Sequence, residues 1–187
     1  MLKGVSFQLG AGELLHVSGP NGTGKTTLLR VATGLLRPEQ GSVAWRGAPI
    51  ATSPLEYQAE LAYASHEPAL KSDLTALENL RFMVGLRRRV SALELRAGLD
   101  RAGVGECADL PTRVLSAGQR RRVEMARVLA VHAKLWLLDE PFTNLDAAGS
   151  QLLTALLTEH IGAGGLALVV AHHELTVRVT TRHLVLQ

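Results

Sequence analysis

Short apolar runs alternate along the chain with longer segments in which apolar residues recur at helical spacing. Runs that contain few polar residues are typical of strands buried on both faces. They occur at residues 14–17, 61–64, 135–138 and 166–170. Helical spacing occurs at residues 26–33, 76–86, 92–102, 123–131 and 150–160. Buried strands that alternate with helices predict an α/β fold with a parallel sheet covered by helices on both faces.

The middle of the chain, about residues 68–131, shows helical spacing without a clear strand. This pattern predicts an all-helical insertion in an α/β core formed by residues 1–67 and 132–187. No linker rich in Pro, Gly or Ser divides the chain, and 187 residues is an ordinary length for one domain. We therefore predict a single domain over residues 1–187.

Composition excludes several classes of function. Hydrophobic residues make up 47% of the chain, and the net charge of +3 is too small to indicate nucleic acid as a partner. Arginine runs at residues 87–89 and 120–122 are expected to be solvated helix ends or faces. Cys107 is the only cysteine, which excludes an internal disulfide and fits a reducing compartment. The apolar run 166–171 is far shorter than the roughly 20 residues of a membrane span, so any membrane role must come through a partner.

Residues 19–26, Gly-Pro-Asn-Gly-Thr-Gly-Lys-Thr, match the P-loop pattern GxxxxGK[ST] between a predicted strand and a predicted helix. Glycines let backbone N–H groups point at a phosphate, and the helix adds its positive N-terminal end. Lys25 is expected to reach the β- and γ-phosphates of ATP, and the Thr26 hydroxyl to bind Mg²⁺. The residues expected to bind ATP here are Gly19, Pro20, Asn21, Gly22, Thr23, Gly24, Lys25, Thr26 and Thr27.

A second candidate site for the metal follows the apolar run 135–138, which leads directly into two acids, Asp139 and Glu140. The carboxyl ends of parallel strands open onto the ligand crevice of such a sheet. Asp139 is expected to hold Mg²⁺ through a water molecule, and Glu140 to orient or deprotonate the attacking water. These features together predict a P-loop NTPase, and further motifs are needed to identify its class.

Three further motifs give the chain a specific resemblance. The segment Leu-Ser-Ala-Gly-Gln at residues 115–119 resembles the ABC signature motif, with Ala117 in place of its usual second glycine. Residues 141–146 resemble the D-loop, and His172 matches the switch histidine. In this order the motifs resemble ATP-binding subunits of ABC transporters over nearly the whole chain. The resemblance implies a P-loop NTPase (RecA-like) core with a parallel sheet and an inserted helical ABC signature subdomain.

The resemblance also implies how the protein works. Ser116 is expected at the N-terminal end of a helix. Ser116, Gly118, Gln119 and Asp146 are expected to contact nucleotide across an ATP-dependent homodimer, in which each signature motif faces the P-loop of the other copy. Catalysis of ATP hydrolysis is assigned to Glu140, His172, Lys25 and His66. Integral membrane permease subunits are the implied partners. The chain is then a peripheral protein at the cytoplasmic face of the bacterial inner membrane.

One position narrows the resemblance further. His66 stands where most ABC subunits carry a glutamine, and with residues 73–82 it resembles the ATP-binding (haem exporter) family of the cytochrome c maturation system. This implies energy coupling in c-type cytochrome biogenesis, through haem export or release of a haem chaperone. As glutamine would, His66 is expected to contact the attacking water or water bound to Mg²⁺. The alternatives are a generic ABC exporter, a soluble non-transport ABC ATPase, a non-ABC P-loop kinase and a non-hydrolysing regulatory subunit.

The sequence begins late in comparison with this family. Residues 5–9 resemble the strand before the P-loop strand, and members normally have a further strand or two upstream with an aromatic that stacks on adenine. On the sequence given we expect the N-terminal strand or strands to be missing. Weak, base-indifferent nucleotide binding and an unpaired sheet edge are then expected. Residues 182–187 are predicted to form the last strand.

Overall fold

The computed structural model describes residues 3–187. Its strands are β1 (Glu13–Ser18), β2 (Ala44–Trp45), β3 (Ala48–Pro49), β4 (Leu61–Ala64), β5 (Leu135–Asp139), β6 (Leu166–Val170) and β7 (Thr180–Val185). Its helices are α1 (Lys25–Ala32), α2 (Pro54–Glu60), α3 (Ala76–Gly85), α4 (Ala92–Arg101), α5 (Ala117–Val131) and α6 (Ala147–Gly162).

The central sheet has five strands in the order β4-β5-β6-β1-β7, and every neighbouring pair is parallel. Its register places Val170 of β6 opposite both Val17 of β1 and Asp139 of β5. The carboxyl ends of these three strands therefore meet at one edge of the sheet. The predicted α/β fold with a parallel sheet is confirmed.

Side chains of the buried strands alternate between two apolar layers, as the pleat of a strand requires. Leu15 and Val17 pack with Leu29 of α1 and Tyr57 of α2 on one face. On the other face, Leu138 lies in a larger core that also contains apolar residues of α3, α4, α5 and α6. Both faces of the sheet are thus covered, which is why the strands appear in the sequence as nearly continuous apolar runs.

Helices α3, α4 and α5 follow β4 and precede β5, and they pack on one another. Leu80, Leu99 and Val123 of these helices are fully buried in the same core as Leu138 of the sheet. The helical segment is therefore joined to the sheet by a continuous apolar core.

Helix caps account for the two largest differences from the predicted helix bounds. The segment predicted at 123–131 begins at Ala117, because Ser116 caps α5, and the segment predicted at 150–160 begins at Ala147, because Asp146 caps α6. Each cap side chain accepts a backbone N–H from the first helical turn, which would otherwise have no partner. The other predicted helices agree with the structure to within a residue or two at each end.

Three parts of the chain differ from the sequence-based expectation. Residues 5–9 form no strand in the structure, because no strand in the described range 3–187 pairs with them. The β2–β3 hairpin was not predicted, since two-residue strands are too short to show alternation. Helix α2 was not predicted either. The last strand lies at Thr180–Val185, slightly earlier than expected. Within residues 3–187, none of the helices combines the length and apolarity that crossing a bilayer requires.

Candidate nucleotide-binding and hydrolysis site

The segments that carry the candidate chemistry leave the sheet at the same edge. The P-loop follows β1, Asp139 is the last residue of β5, and His172 comes two residues after β6 ends. Glu140 follows Asp139, and its backbone N–H donates to the Val170 carbonyl. The register thus brings together side chains that are far apart in sequence, as expected for a ligand crevice in a parallel α/β sheet.

The P-loop backbone has conformations that only glycine adopts easily. Gly19 has a φ of 146°, and a Cβ there would overlap the Leu186 carbonyl oxygen. Gly24 has a φ of 95° at the N-cap of α1. Within residues 3–187 we find no intramolecular acceptor for the backbone N–H groups from Asn21 to Thr27. These N–H groups are available to an anion, which is what a phosphate cradle requires.

Lys25 is the buried cation of this loop. Its Nζ donates to the carbonyl oxygens of Gly19, at 2.8 Å, and Pro20, at 3.0 Å. The Pro20 oxygen also accepts a hydrogen bond from the Thr23 hydroxyl. Because an ammonium group has three donors, one remains for a phosphate oxygen. Lys25 therefore lies across the loop in a position that suits phosphate binding.

Thr26 and Asp139 connect the P-loop with β5. The Thr26 hydroxyl donates to Asp139 Oδ2 at 2.9 Å, and Asp139 is 1% exposed. A hydroxyl and a carboxylate side by side are the oxygen ligands that Mg²⁺ prefers. Within the described chain no group of three or more His, Cys, Asp or Glu side chains could hold a metal. Mg²⁺ sites in phosphoryl-transfer enzymes commonly need only one or two carboxylates together with phosphates and water.

Glu140 and His172 form the second pair at this edge. His172 Nε2 lies 3.2 Å from Glu140 Oε1, and half of the His172 side chain is exposed. The approach does not meet hydrogen-bond geometry, and Oε1 is buried without a hydrogen-bond donor among the described residues. A buried carboxylate oxygen without a donor is able to accept a proton from a water molecule.

The Ser116 turn opens helix α5 with a capping box. Ser116 Oγ accepts the backbone N–H of Gln119 at 3.1 Å, and Gln119 Oε1 accepts the Ser116 N–H at 2.8 Å. Ser116 and Ala117 are exposed. The Ser116 hydroxyl hydrogen is not used by the cap, so it can be donated to an anion at the positive end of α5. No hydrogen bond or ion pair in residues 3–187 joins this turn to the P-loop.

Gly118 lies against the D-loop of the same chain. A Cβ at this position would be 2.7 Å from the carbonyl oxygen of Asn144, which is closer than real side chains approach. Asn144 has a φ of 66°, in the left-handed region, and forms part of the tight turn after Glu140. The missing side chain of Gly118 therefore sets the distance between α5 and the D-loop.

Replacing Gly118 by alanine is expected to lower the free energy of unfolding by about 1–3 kcal/mol, because the added methyl forces Asn144 to move. The matched control is Gly162→Ala in α6, where an added Cβ meets no atom within 4 Å. That control should gain about 0.5–1 kcal/mol from the lower entropy of the unfolded chain. Urea unfolding measures both. Equal effects of the two substitutions would contradict the close packing of Gly118.

Asp146 is engaged within its own chain. Its Oδ1 accepts the Gly149 N–H at 2.7 Å and pairs with Arg122 Nη2 at 2.5 Å. The Gly149 hydrogen bond, with Arg122 adding to it, lowers the pKa of Asp146 below its usual range. The contact of Asp146 with nucleotide stays a prediction, and within this chain its observed role is to cap α6 and to join it to α5.

The expectation of a solvated face for residues 120–122 is wrong for Arg121. This side chain is 2% exposed, and its guanidinium donates to the backbone carbonyls of Ser65, at 2.8 Å, and of His66. Arg121 precedes the buried residue Glu124 by three positions and the buried residue Val128 by seven, so it lies on the buried face of α5. This helical spacing is the signal that sequence analysis missed. The His66 residue itself is exposed, and its role at the site stays a prediction.

The structure thus brings the P-loop, Asp139, Glu140 and His172 to one edge of the sheet and places the Ser116 turn beside the D-loop. A P-loop at the end of a parallel strand, together with acids at the end of another, defines a nucleotide-binding ATPase.

Comparison with known proteins gives the family. The family model described as "ABC transporter" matches residues 2–143. The cytochrome c biogenesis ATP-binding export protein CcmA of Nitrosococcus oceani is 46% identical over 177 residues, which are 95% of this chain and 81% of that protein. CcmA of Escherichia coli (strain K12) is 42% identical over 95% of this chain and 84% of its own length.

Solved structures agree with this result. A dimeric bacterial ABC transporter cassette has a TM-score of 0.87 at 26% identity, over 98% of this chain and 86% of its own. A dimeric ATP-binding cassette in a post-hydrolysis state with ADP and Pi has a TM-score of 0.84 at 26% identity, over 92% of this chain and 80% of its own. The chain belongs to the ABC transporter family, and it is an ATP-binding subunit of the kind that hydrolyses ATP to ADP and phosphate.

Proposed function

We propose that this chain is the ATP-hydrolysing subunit of a membrane complex that serves c-type cytochrome biogenesis. The observation that carries the ATPase chemistry is the meeting of two pairs at one sheet edge, Thr26 with Asp139 and Glu140 with His172. The biosynthetic role is supported by relatives that are named for cytochrome c biogenesis and are 42–46% identical over 95% of this chain.

ATP binding follows from the P-loop geometry. The N–H groups from Asn21 to Thr27 donate to the phosphate oxygens, and Lys25 Nζ gives its remaining donor to a β- or γ-phosphate oxygen. The oxygen donors of Thr26 and Asp139 fit a magnesium ion that accompanies ATP. That ion supplies positive charge against the β- and γ-phosphates. Lys25, Thr26 and Asp139 therefore hold the triphosphate in position for reaction.

Hydrolysis requires a water molecule aligned with the γ-phosphorus. Glu140 accepts a proton from this water as its oxygen bonds to phosphorus, and the bond from phosphorus to the bridging oxygen breaks to release ADP. His172 Nε2 lies 3.2 Å from Glu140 Oε1, and in our proposal it contacts the γ-phosphate beside this carboxylate. His66 contacts the same water from the loop after β4.

A complete site needs two copies of the chain. The Ser116 turn offers an unused hydroxyl and the N-terminal end of α5, but makes no hydrogen bond to the P-loop of its own chain in the described range. The solved neighbours include dimeric cassettes. In our proposal Ser116, Gly118, Gln119 and Asp146 of one copy close over ATP held by the P-loop of the other. The pair has two-fold symmetry, so each copy contributes both halves.

The membrane partners are integral permease subunits of the bacterial inner membrane. This chain binds to them as a peripheral subunit at the cytoplasmic face. The helical segment 68–131 forms the subdomain that carries the Ser116 turn, and the rest of the chain forms the core. ATP binding joins the two copies, and hydrolysis removes the γ-phosphate contacts that hold them together. This cycle would drive haem export or release of a haem chaperone.

Gene replacement in the host bacterium tests this proposal. Strains that express the wild-type chain should accumulate c-type cytochromes, detected by covalently bound haem in denaturing gels, whereas Glu140→Gln should reduce the signal to that of a deletion strain. Glu159→Gln, which removes an exposed carboxylate paired with Arg101, is the matched control and should behave as wild type. Normal c-type cytochromes in the deletion strain would contradict the biosynthetic role.

A further inference from the structure

Strand β4 lies at one edge of the central sheet, so its outer side has no neighbouring strand within residues 3–187. An exposed strand edge carries unpaired backbone groups that invite wrong pairing. Here three arginines cover that edge, and we call them the arginine row: Arg87 just after α3, and Arg121 and Arg127 in α5. The row joins the helical segment to β4 and to the loop that contains His66.

The arginine row binds carbonyl oxygens at every second residue along this edge. Arg87 Nη2 donates to the Leu61 carbonyl at 2.7 Å, and Arg127 Nη2 donates to the Tyr63 carbonyl. Successive carbonyls of a strand point in opposite directions, so alternate residues present theirs to the same side. Arg121 continues this spacing at the Ser65 carbonyl and adds the His66 carbonyl. The row thus extends from the strand into the loop.

Arg121 differs from Arg127 in where its charge is balanced. Arg127 has a direct partner, Glu124 Oε1 at 2.7 Å, whereas Arg121 has no carboxylate partner within ion-pair distance in the described chain. Burial lowers the pKa of Arg121, and the negative charges that oppose this belong to Glu124, Asp139 and Glu140. The two acids of the ATP site, Asp139 and Glu140, therefore help to offset the charge of this buried cation.

The same helix joins Arg121 to the Ser116 turn. Arg121 lies five residues after Ser116 in sequence, so about 7.5 Å of helix separates them. The capping box between Ser116 and Gln119 and the buried face of α5 keep this first part of the helix regular. A displacement of the Ser116 turn therefore carries the guanidinium with it, and the guanidinium holds two successive carbonyls of the His66 loop.

We propose that Arg121 is a positioning residue for ATP hydrolysis, which fixes the His66 loop to the helix that begins at Ser116. Closure of Ser116 on the ATP of the partner copy then sets the position of His66 at the ATP of its own chain. The two sites of the dimer are coupled through this contact. This inference rests on the proposed function, because it takes His66 to contact the attacking water.

Steady-state ATP hydrolysis by the purified membrane complex tests the inference. Arg121→Lys keeps the charge but cannot hold two carbonyls in the planar geometry of a guanidinium. We expect kcat to fall about tenfold with KM for ATP nearly unchanged, since a small misplacement of a reacting group is costly while ground-state binding is retained. Arg121→Gln keeps the two N–H donors of an amide without a buried charge. It is the second variant if the lysine variant does not fold, and we expect the same kcat loss.

A double-mutant cycle with His66→Ala separates positioning from general stability. If Arg121 acts through His66, Arg121→Lys should not lower kcat further in the His66→Ala background. Arg127→Lys, at the same edge and on the same helix, is the matched control and should leave kcat unchanged. Equal kcat losses from Arg121→Lys in both backgrounds, or no loss in either, would overturn the inference. A wild-type complex that does not hydrolyse ATP would instead contradict the proposed function.

Discussion

Glu140→Gln is expected to lower kcat for ATP hydrolysis by about 10²–10⁴-fold, because an amide cannot accept the proton of the attacking water. The Oε1 atom of Glu140 is buried without a hydrogen-bond donor in the described chain, and it lies 3.2 Å from His172. The substitution keeps the size of the side chain, so ATP binding should be retained. Phosphate release measured in the purified complex gives kcat, and ATP titration gives Kd.

The control for this variant is Glu159→Gln, which removes the same charge from an exposed pair with Arg101. It should leave kcat at the wild-type value. Hydrolysis by Glu140→Gln within about threefold of the wild-type rate would be far smaller than the loss expected for a general base. It would assign proton transfer to another group.

Lys25→Ala is expected to raise the Kd for ATP by about 10- to 100-fold, since one hydrogen bond to a charged group contributes roughly 1.5–3 kcal/mol. Lys25 is buried, with two of its donors on the Gly19 and Pro20 carbonyls, so its substitution also removes the group that spans the P-loop. Isothermal titration with ATP measures the change, and hydrolysis should be lost with binding.

Lys134→Ala is the matched control, because it removes the same charge just before β5 begins, at the opposite end of that strand from Asp139. Its Kd for ATP should equal that of the wild type. If both lysine variants weaken ATP binding by the same factor, the effect comes from net charge, and the specific role of Lys25 is contradicted.

The fold could be predicted from the sequence because its strands are buried on both faces. Leu138 and Val169 lie in one apolar layer, and their neighbours Leu137 and Leu168 lie in the other, so polar residues are nearly excluded from these runs. The grouping of Asp139, Glu140 and His172 with the P-loop followed in turn, since parallel strands place their carboxyl ends together.

The start of α5 was not visible in the apolar spacing, although the resemblance to the signature motif placed Ser116 at the N-terminal end of a helix. Its first turns carry the arginines of residues 120–122, which resemble a solvated surface, and the capping box between Ser116 and Gln119 is the signal that sets the true start. Arg121 was missed for the same reason. A buried arginine is stable here because backbone carbonyls accept its donors, and their position depends on how β4 meets α5 in three dimensions.

Dimerisation of Glu140→Gln with and without ATP tests the central claim most directly, namely that Ser116 of one copy completes the site built on Lys25 of the other. Light scattering at saturating Mg·ATP should show a dimer for Glu140→Gln and a monomer without nucleotide. Adding Ser116→Arg, which fills the exposed turn, should keep the protein monomeric while ATP still binds. A Glu140→Gln protein that stays monomeric with ATP bound, or a Ser116→Arg variant that dimerises equally well, would contradict the claim.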